Sequence, residues 1–455
     1  MERFICDGLD KYIAGNNQPW HMPGHKRSCD INSSYNAVEN LVKQVEAMDV
    51  TEVPGMDDLH NPKEMIKKSM DELKKVYGTY ASYYLVNGST CGIFTAIASC
   101  VEKYDKKDII LAYNCHKSVY NAVYLLKLNP VVLCPKGKYI SVDDMEALFE
   151  ENPDINPVAC VLTSPSYEGV CIDVKAIKQI LEKQNIKLIV DEAHGAHFNY
   201  MNEMPVSAVK LGADIVIQSL HKTLASLTQT AILHNQCEEL DDVIKKYLSV
   251  FMTSSPSYIF LSSMELAIAD CVDRDYSSYI KDLKEFRTKA AGLSHIEFLD
   301  KKHVQEDGGY DYDISRIVFS FRDKNEEKLP GDYVEKELSK YGIVCEMSGI
   351  DYVVLISTYM DSKEAFDKLY AALECINKDI KGKTKQEILK NRYVENKKMI
   401  NELDKIERLK NKKACADIYV YPPGIPIVKK EETVGERQLE ILKQYIYAGK
   451  ELRGL

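Results

Sequence analysis

The feature that most constrains this chain is a recurrence. Short apolar runs at 83–86 (YYLV), 108–113 (DIILAY), 157–163 (PVACVLT), 187–190 (KLIV) and 213–219 (ADIVIQS) are separated by stretches of helical spacing, and each ends in a polar cluster. A strand that is apolar at nearly every position is buried on both faces, which happens in a parallel sheet covered by helices on both sides. The chain is therefore expected to be α/β. In such sheets ligands bind beyond the carboxyl ends of the strands. Here those ends carry NGSTCG, NCHKS, SPSYEG, DEAHG and HKT.

With 455 residues, two or three domains are expected. The formal net charge of −10 argues against a general affinity for nucleic acid or an anionic membrane. No apolar run is long enough to span a bilayer, and the opening MERFICDGLDKYIAG lacks the pattern of a signal peptide. The 13 cysteines include no C-x-x-C pair, which fits reduced thiols and a cytoplasmic location. After about residue 290 the character changes: ISRIVFSFRD (314–323) and YVVLISTYM (352–360) read as strands between helical patterns, a smaller α+β domain. The expected division is an N-terminal arm over 1–60, a large domain over 61–290, and a C-terminal domain with a helical linker over 291–455. The lysine-rich stretch from Lys378 to Lys413 reads as an amphipathic helix with a solvated basic face.

Each polar cluster has more than one reading. NGSTCG (87–92) lies between strand and helix, where Gly88, Ser89 and Thr90 could bind an anion or simply start the helix. It has neither the Lys-Ser/Thr of a P-loop nor the central serine of a hydrolase elbow. In NCHKS, His116 could stack on a flat ligand or cap a helix. DEAHGAHF offers Asp191 as a partner for a heterocyclic nitrogen. It also offers Asp191, Glu192, His194 and His197 as metal ligands, but Gly195 breaks the helix their spacing would need. In SLHKT, Lys222 could be a solvated strand end, or a buried amine that loses its proton and becomes a nucleophile. Taken together, a lysine for a Schiff base, an acid for a pyridinium nitrogen and a phosphate cradle make a site for pyridoxal 5′-phosphate (PLP).

HMPGHK (21–26), DVTEVPGMDDLHNP (49–62), LVNGSTCG (85–92), NCHKSVYNA (114–122), TSPSYEG (163–169), VDEAHGAHF (190–198), SLHKT (219–223), SSPSY (254–258) and YPPGIP (421–426) occur in that order. As an ordered set they resemble the short form of the Orn/Lys/Arg decarboxylase family of fold type I PLP-dependent enzymes, from about His21 to Ile427. The resemblance implies an aspartate-aminotransferase-like large domain and roles position by position. Lys222 matches the lysine that carries the cofactor, Asp191 the partner of the ring nitrogen, Ala193 the small residue under the ring, and His116 the imidazole on its other face. Gly88, Ser89 and Thr90 match the phosphate turn. Ser219 and His221 match further cofactor contacts. His194 stands where longer relatives carry tryptophan.

The resemblance also implies a homodimer, or a higher homo-oligomer, with shared active sites. Ser254 and Ser255 would reach the neighbouring subunit's site, and the N-terminal arm would contribute to the dimer. The implied reaction is decarboxylation of a basic amino acid, lysine or arginine favoured and ornithine possible, in polyamine synthesis or acid resistance. Lys222 or His221 would return the proton. Asp57, Asp58, Glu168 and Glu346 are available for a distal cation. One departure is KKEE (429–432), where many relatives continue with Pro-Gly-Glu. Another PLP reaction, an aminotransferase or an aldolase-type lyase, is the alternative. The strand-end motifs between Asn87 and Thr223 hold no arginine to clamp a carboxylate, which counts against the aminotransferase.

Overall fold

A computed structural model describes residues 18–20, 24, 26, 51–52, 56–389, 402–403, 405–420, 426–447 and 450–455. Most of HMPGHK, of YPPGIP and of the expected N-terminal arm lies outside the described residues, as does the middle of the expected linker helix. In chain order, β1 (Gln18–Trp20) and α1 (Met65–Tyr77) are followed by β2 (Ala81–Leu85), α2 (Gly88–Tyr104), β3 (Asp108–Ala112), α3 (Lys117–Leu126), β4 (Asn129–Leu133), α4 (Val142–Glu151), β5 (Pro157–Thr163), β6 (Val170–Cys171), α5 (Val174–Lys183), β7 (Lys187–Asp191), β8 (Ile215–Ser219), the one-turn α6 (Leu220–Thr223) and β9 (Ala231–Asn235).

The apolar runs become one seven-stranded sheet in the order β2-β9-β8-β7-β5-β3-β4. All neighbours are parallel except that β9 runs against both β2 and β8. Ile109–Leu111, Val158–Leu162, Leu188–Val190 and Ile215–Ile217 are all buried. Burying each such Val, Ile or Leu is worth roughly 1.5–3 kcal/mol, so the centre of the sheet is its most stable part. Two strands escape the sequence reading. β4 opens on Asn129 and Pro130, which are exposed at the sheet edge; β9 ends in His234 and Asn235, polar residues that are buried.

Helices press on this sheet through apolar stripes. α1 buries Ile66, Met70, Leu73 and Tyr77, and ends at Gly78 in the left-handed conformation. α2 crosses close to the sheet at Gly92, where a Cβ would stand 2.7 Å from Leu85 Cδ1. Beyond α5 and β9, a four-stranded sheet forms from β10 (Ile296–Phe298), β12 (Arg316–Phe321), β15 (Val353–Ile356) and β14 (Met347–Ser348), with β11 (Asp311–Tyr312) pairing with β6 and β13 (Ile343–Cys345) with β1. Helices Gly331–Ser339 and Lys363–Ile380 cover it. Its buried side chains are continuous with those of the large sheet, whereas Ile406, Ile418, Leu442 and Leu452 belong to a separate apolar cluster near the C-terminus. No helix among the described residues is long and apolar enough to cross a membrane.

Candidate active site

The parallel strands all end on the same side, and their register aligns the polar residues that follow them. Thr163 stands opposite Asp191, and Asp191 opposite Ile217, two residues before Ser219. The strand ends open on a cavity of about 410 Å³, within the range of small-molecule sites. Gly88, Ser89, Thr90, His116, Asp191, Ala193, His194, Ser219, His221 and Lys222 all line it.

The start of α2 provides the anion-binding end. Gly88 has a φ of +76°, a conformation that costs glycine nothing. Asn87, the residue before the helix, does not cap it; its Oδ1 accepts instead from Thr253 N at 3.1 Å. The first N–H groups of the helix thus keep their positive end toward the cavity. Ser89 Oγ bonds Ser219 Oγ at 2.5 Å, tying this turn to the end of β8.

At the opposite end, Asp191 closes β7, and its Oδ1 accepts from Ala193 N at 3.2 Å. His116 caps α3: its Nδ1 accepts from Ser118 N at 3.2 Å and faces Ser118 Oγ at 2.8 Å. Capping and facing the cavity are here the same posture. Burial lowers the pKa of His116, Asp191 acting in the opposite direction.

Lys222 lies on α6, directly after β8. Burial lowers its pKa, and Arg316 acts in the same sense against the pull of Asp191 and Glu346. Its Nζ is 3.0 Å from His194 Nε2. The His194 ring packs on Tyr167 with centroids 4.6 Å apart. His221 Nδ1 lies 3.0 Å from the Thr230 carbonyl oxygen, which only accepts, so Nδ1 carries the proton. Gly24 braces this turn from outside. Its N–H donates to His221 O at 2.7 Å, its carbonyl accepts from Thr358 Oγ1 at 2.7 Å, and a Cβ there would fall 2.7 Å from Leu224 O. The glycine of HMPGHK is therefore needed for a close backbone approach, a role its sequence context did not disclose.

One wall is acidic. Glu168 receives Ser166 Oγ at 3.0 Å and Tyr352 Oη at 2.8 Å, both neutral donors. It lines both this cavity and an adjoining one of about 510 Å³. The other acids of that second cavity face cations: Glu297 meets Arg322, Asp307 meets Lys138, and Asp351 meets Lys328.

Other sequence candidates are placed elsewhere. Asp57 accepts from the N–H groups of Lys63, Glu64 and Ile66 at the start of α1. Asp58 Oδ1 accepts from His60 N. Glu346 accepts from Tyr167 Oη, behind His194. Ser254 and Ser255 are exposed on a loop outside the cavity. The metal reading loses its geometry. Glu192 turns into the protein to meet Ala208 N, Ser207 and Gln218, and His197 meets Asp313 at 3.3 Å. Among the described residues no group of three His, Cys, Asp or Glu side chains could hold a metal ion. The residue the sequence reading missed is Arg316, which opens β12 and reaches His194 from behind.

This donor set fits PLP. A helix N-terminus with hydroxyls suits the phosphate, a carboxylate suits a protonated ring nitrogen, the small Ala193 and the imidazole of His116 on the cavity wall suit a flat ring, and a lysine of lowered pKa suits the aldehyde.

Comparison with known proteins agrees with this chemistry. Residues 5–343 match the family described as Orn/Lys/Arg decarboxylase, major domain. An arginine decarboxylase of Bacillus anthracis is 27% identical over 474 residues, covering 99% of this chain and 94% of that one. An uncharacterized Bacillus subtilis protein, YaaO, is 34% identical over 308 residues, 66% of this chain and 61% of its own. Among solved structures, the Francisella novicida lysine decarboxylase LdcF superposes with a TM-score of 0.73 at 17% identity, over 98% of this chain and 81% of that one.

Proposed function

The chain belongs to the Orn/Lys/Arg decarboxylase family, whose members are PLP-dependent lyases, and from that premise we propose that it converts a basic amino acid to CO2 and the corresponding amine, with arginine the first substrate to test. The observation that carries the reading is a single cavity that joins the Lys222 amine, the Asp191 carboxylate and the start of α2 to Glu168, an acid whose partners among the described residues are neutral hydroxyls. An acid in that position is suited to a distal ammonium or guanidinium. Arginine is favoured because the Bacillus anthracis arginine decarboxylase matches nearly the whole chain.

In this reading Lys222 holds the cofactor's aldehyde, Ser89, Thr90 and the α2 amides its phosphate, Asp191 its ring nitrogen, and Ala193 and His116 the two ring faces. The cofactor supplies an electron sink for the carbon that loses its carboxylate. Asp191 holds a proton at the ring nitrogen by charge, and His116 keeps water off the ring face. His221 donates Nδ1–H to Thr230 O, which makes Nε2 the nitrogen of its neutral ring that takes or returns a proton in this reading. Lys222 Nζ is the other candidate to return the proton to the substrate carbon. Two copies of the chain share the site in this proposal, with Ser254 and Ser255 contacting the neighbour. The large and small units are divided near residue 290, and the cellular role is polyamine synthesis or acid resistance.

The test offers arginine, lysine and ornithine separately to the purified chain with PLP, and follows CO2 and amine by mass spectrometry. One amine formed in step with CO2 supports the reading. A keto acid or an aldehyde fragment in place of amine would replace it with another PLP reaction.

A further inference from the structure

Behind the Lys222 amine stands a second cation that never reaches the cavity. Arg316 is fully buried and is not part of the cavity lining. Its Nη2 donates one hydrogen to the main-chain oxygen of His194 at 2.9 Å and is 3.3 Å from His194 Nδ1. A guanidinium has no acceptor, so Nδ1 must supply the lone pair. Burial, with Lys222 and Arg316 beside it, holds His194 far below the usual histidine range, so the ring is neutral and its one proton sits on Nε2. That nitrogen is the one 3.0 Å from Lys222 Nζ. An ammonium also has only donors. The contact is a hydrogen bond only when Nζ is a neutral amine accepting from Nε2–H.

We propose that Arg316 is a positioning residue for Lys222: by fixing the Nε2–H tautomer of His194, it keeps the Lys222 amine unprotonated and aimed, in its nucleophilic form. The surrounding charges leave that task to be done. Asp191 and Glu346 favour a proton on Lys222, while burial and Arg316 oppose it, and His116 and His221 stand close to His194. A buried arginine with only a structural role would use its other nitrogens. Among the described residues Nε and Nη1 have no hydrogen-bond partner, and the anion paired with Nη1 is Asp313 at 3.9 Å. Asp313 is in turn held by His197 and Ser315.

The inference rests on reading Lys222 as the nucleophile, and two measurements on the full, cofactor-free chain test it separately. The first is imidazole nitrogen NMR of histidine-labelled protein, with His194 assigned by the signals lost in His194→Gln. An Nε2–H tautomer is expected, and an Nδ1–H tautomer would overturn the proposal without any Arg316 variant having to fold. The second is labelling of Lys222 by acetic anhydride across pH, read by peptide mass spectrometry. In Arg316→Lys and in the charge-balanced double variant Asp313→Asn/Arg316→Met, the labelling midpoint should rise by about one pH unit, about tenfold less free amine at neutral pH. Folded variants with an unchanged midpoint would overturn the proposal. So would a shift confined to the double variant, because Arg316→Lys also removes the guanidinium contact to His194. Failure of the cofactor assignment looks different: borohydride would trap PLP on another lysine while the tautomer and the midpoint behaved as described.

Discussion

Two polar clusters sit on the same strands and behave in opposite ways. Asp191 and Glu192 are adjacent, as are Gln218 and Ser219, yet Asp191 and Ser219 line the cavity while Glu192 and Gln218 turn into the protein. Inside, every contact is satisfied. Glu192 accepts from Ala208 N, Ser207 Oγ and Gln218 Nε2; Gln218 Oε1 meets His234 Nε2; His234 Nδ1 meets Ser82 Oγ; and Ser82 meets Thr79. At the cavity, Lys222, Asp191 and the start of α2 line one space, and Lys222 and Asp191 make one contact each, to His194 Nε2 and from Ala193 N. Both clusters are buried polar groups of high cost if left unmatched. The difference is that the inner cluster is completed by the chain itself, whereas the outer one lines the cavity in which we propose that a cofactor and a substrate bind.

Substitutions should separate the two clusters, one by activity and the other by stability. The largest effect is expected at the cavity. Lys222→Ala should lower CO2 release by about a thousandfold or more, with no loss in the thermal midpoint of the cofactor-free chain; a matching fall in that midpoint would make Lys222 structural. Asp191→Asn should follow with a loss of roughly 10²–10³ in kcat at near-constant stability, and near-normal turnover would remove Asp191 from its role.

Glu192 tests the inner cluster. Burial, against its hydrogen bonds, raises its pKa from 4.5 to about 7. Between those values the folded chain keeps a proton that the unfolded chain releases, so stability should fall as pH rises through that window, by roughly 2–4 kcal/mol. Urea midpoints at pH 4.5 and 7 should therefore differ more for the native chain than for Glu192→Gln; equal differences would contradict this. At the acidic wall, Glu168→Gln should raise the KM for a basic amino acid by roughly 10–100-fold with a smaller change in kcat, and an unchanged KM would move the distal cation elsewhere. The smallest effect is expected at Asp57→Ala, which removes the acceptor at the start of α1 and should cost about 1–2 kcal/mol in urea unfolding, with kcat unchanged. A kcat that fell with stability intact would return Asp57 to the site.

The strands that build the sheet were legible because parallel strands buried on both faces are apolar at every position, as PVACVLT shows by coinciding with β5. β4 and β9 were not, because Pro130 and His234 read locally as breaks and only the tertiary setting makes them strand residues. The residues around the cavity were legible because each follows an apolar run directly. Arg316 was not: it lies 122 positions from His194, and no local pattern links them. Asp57 shows the converse, a carboxylate in a suggestive motif whose oxygens are occupied by backbone amides. His197, three residues from His194, reads as a metal partner in the sequence, but the turn before β12 supplies Asp313 to it.

The central claim is that Lys222 carries the cofactor in this cavity, and its most direct test is chemical. The chain is loaded with PLP, reduced with borohydride, digested and mapped by mass spectrometry. The account predicts a pyridoxyl adduct on the peptide containing Lys222 and its absence after Lys222→Ala. An adduct on any other lysine, or none on a folded, PLP-treated chain, would contradict it.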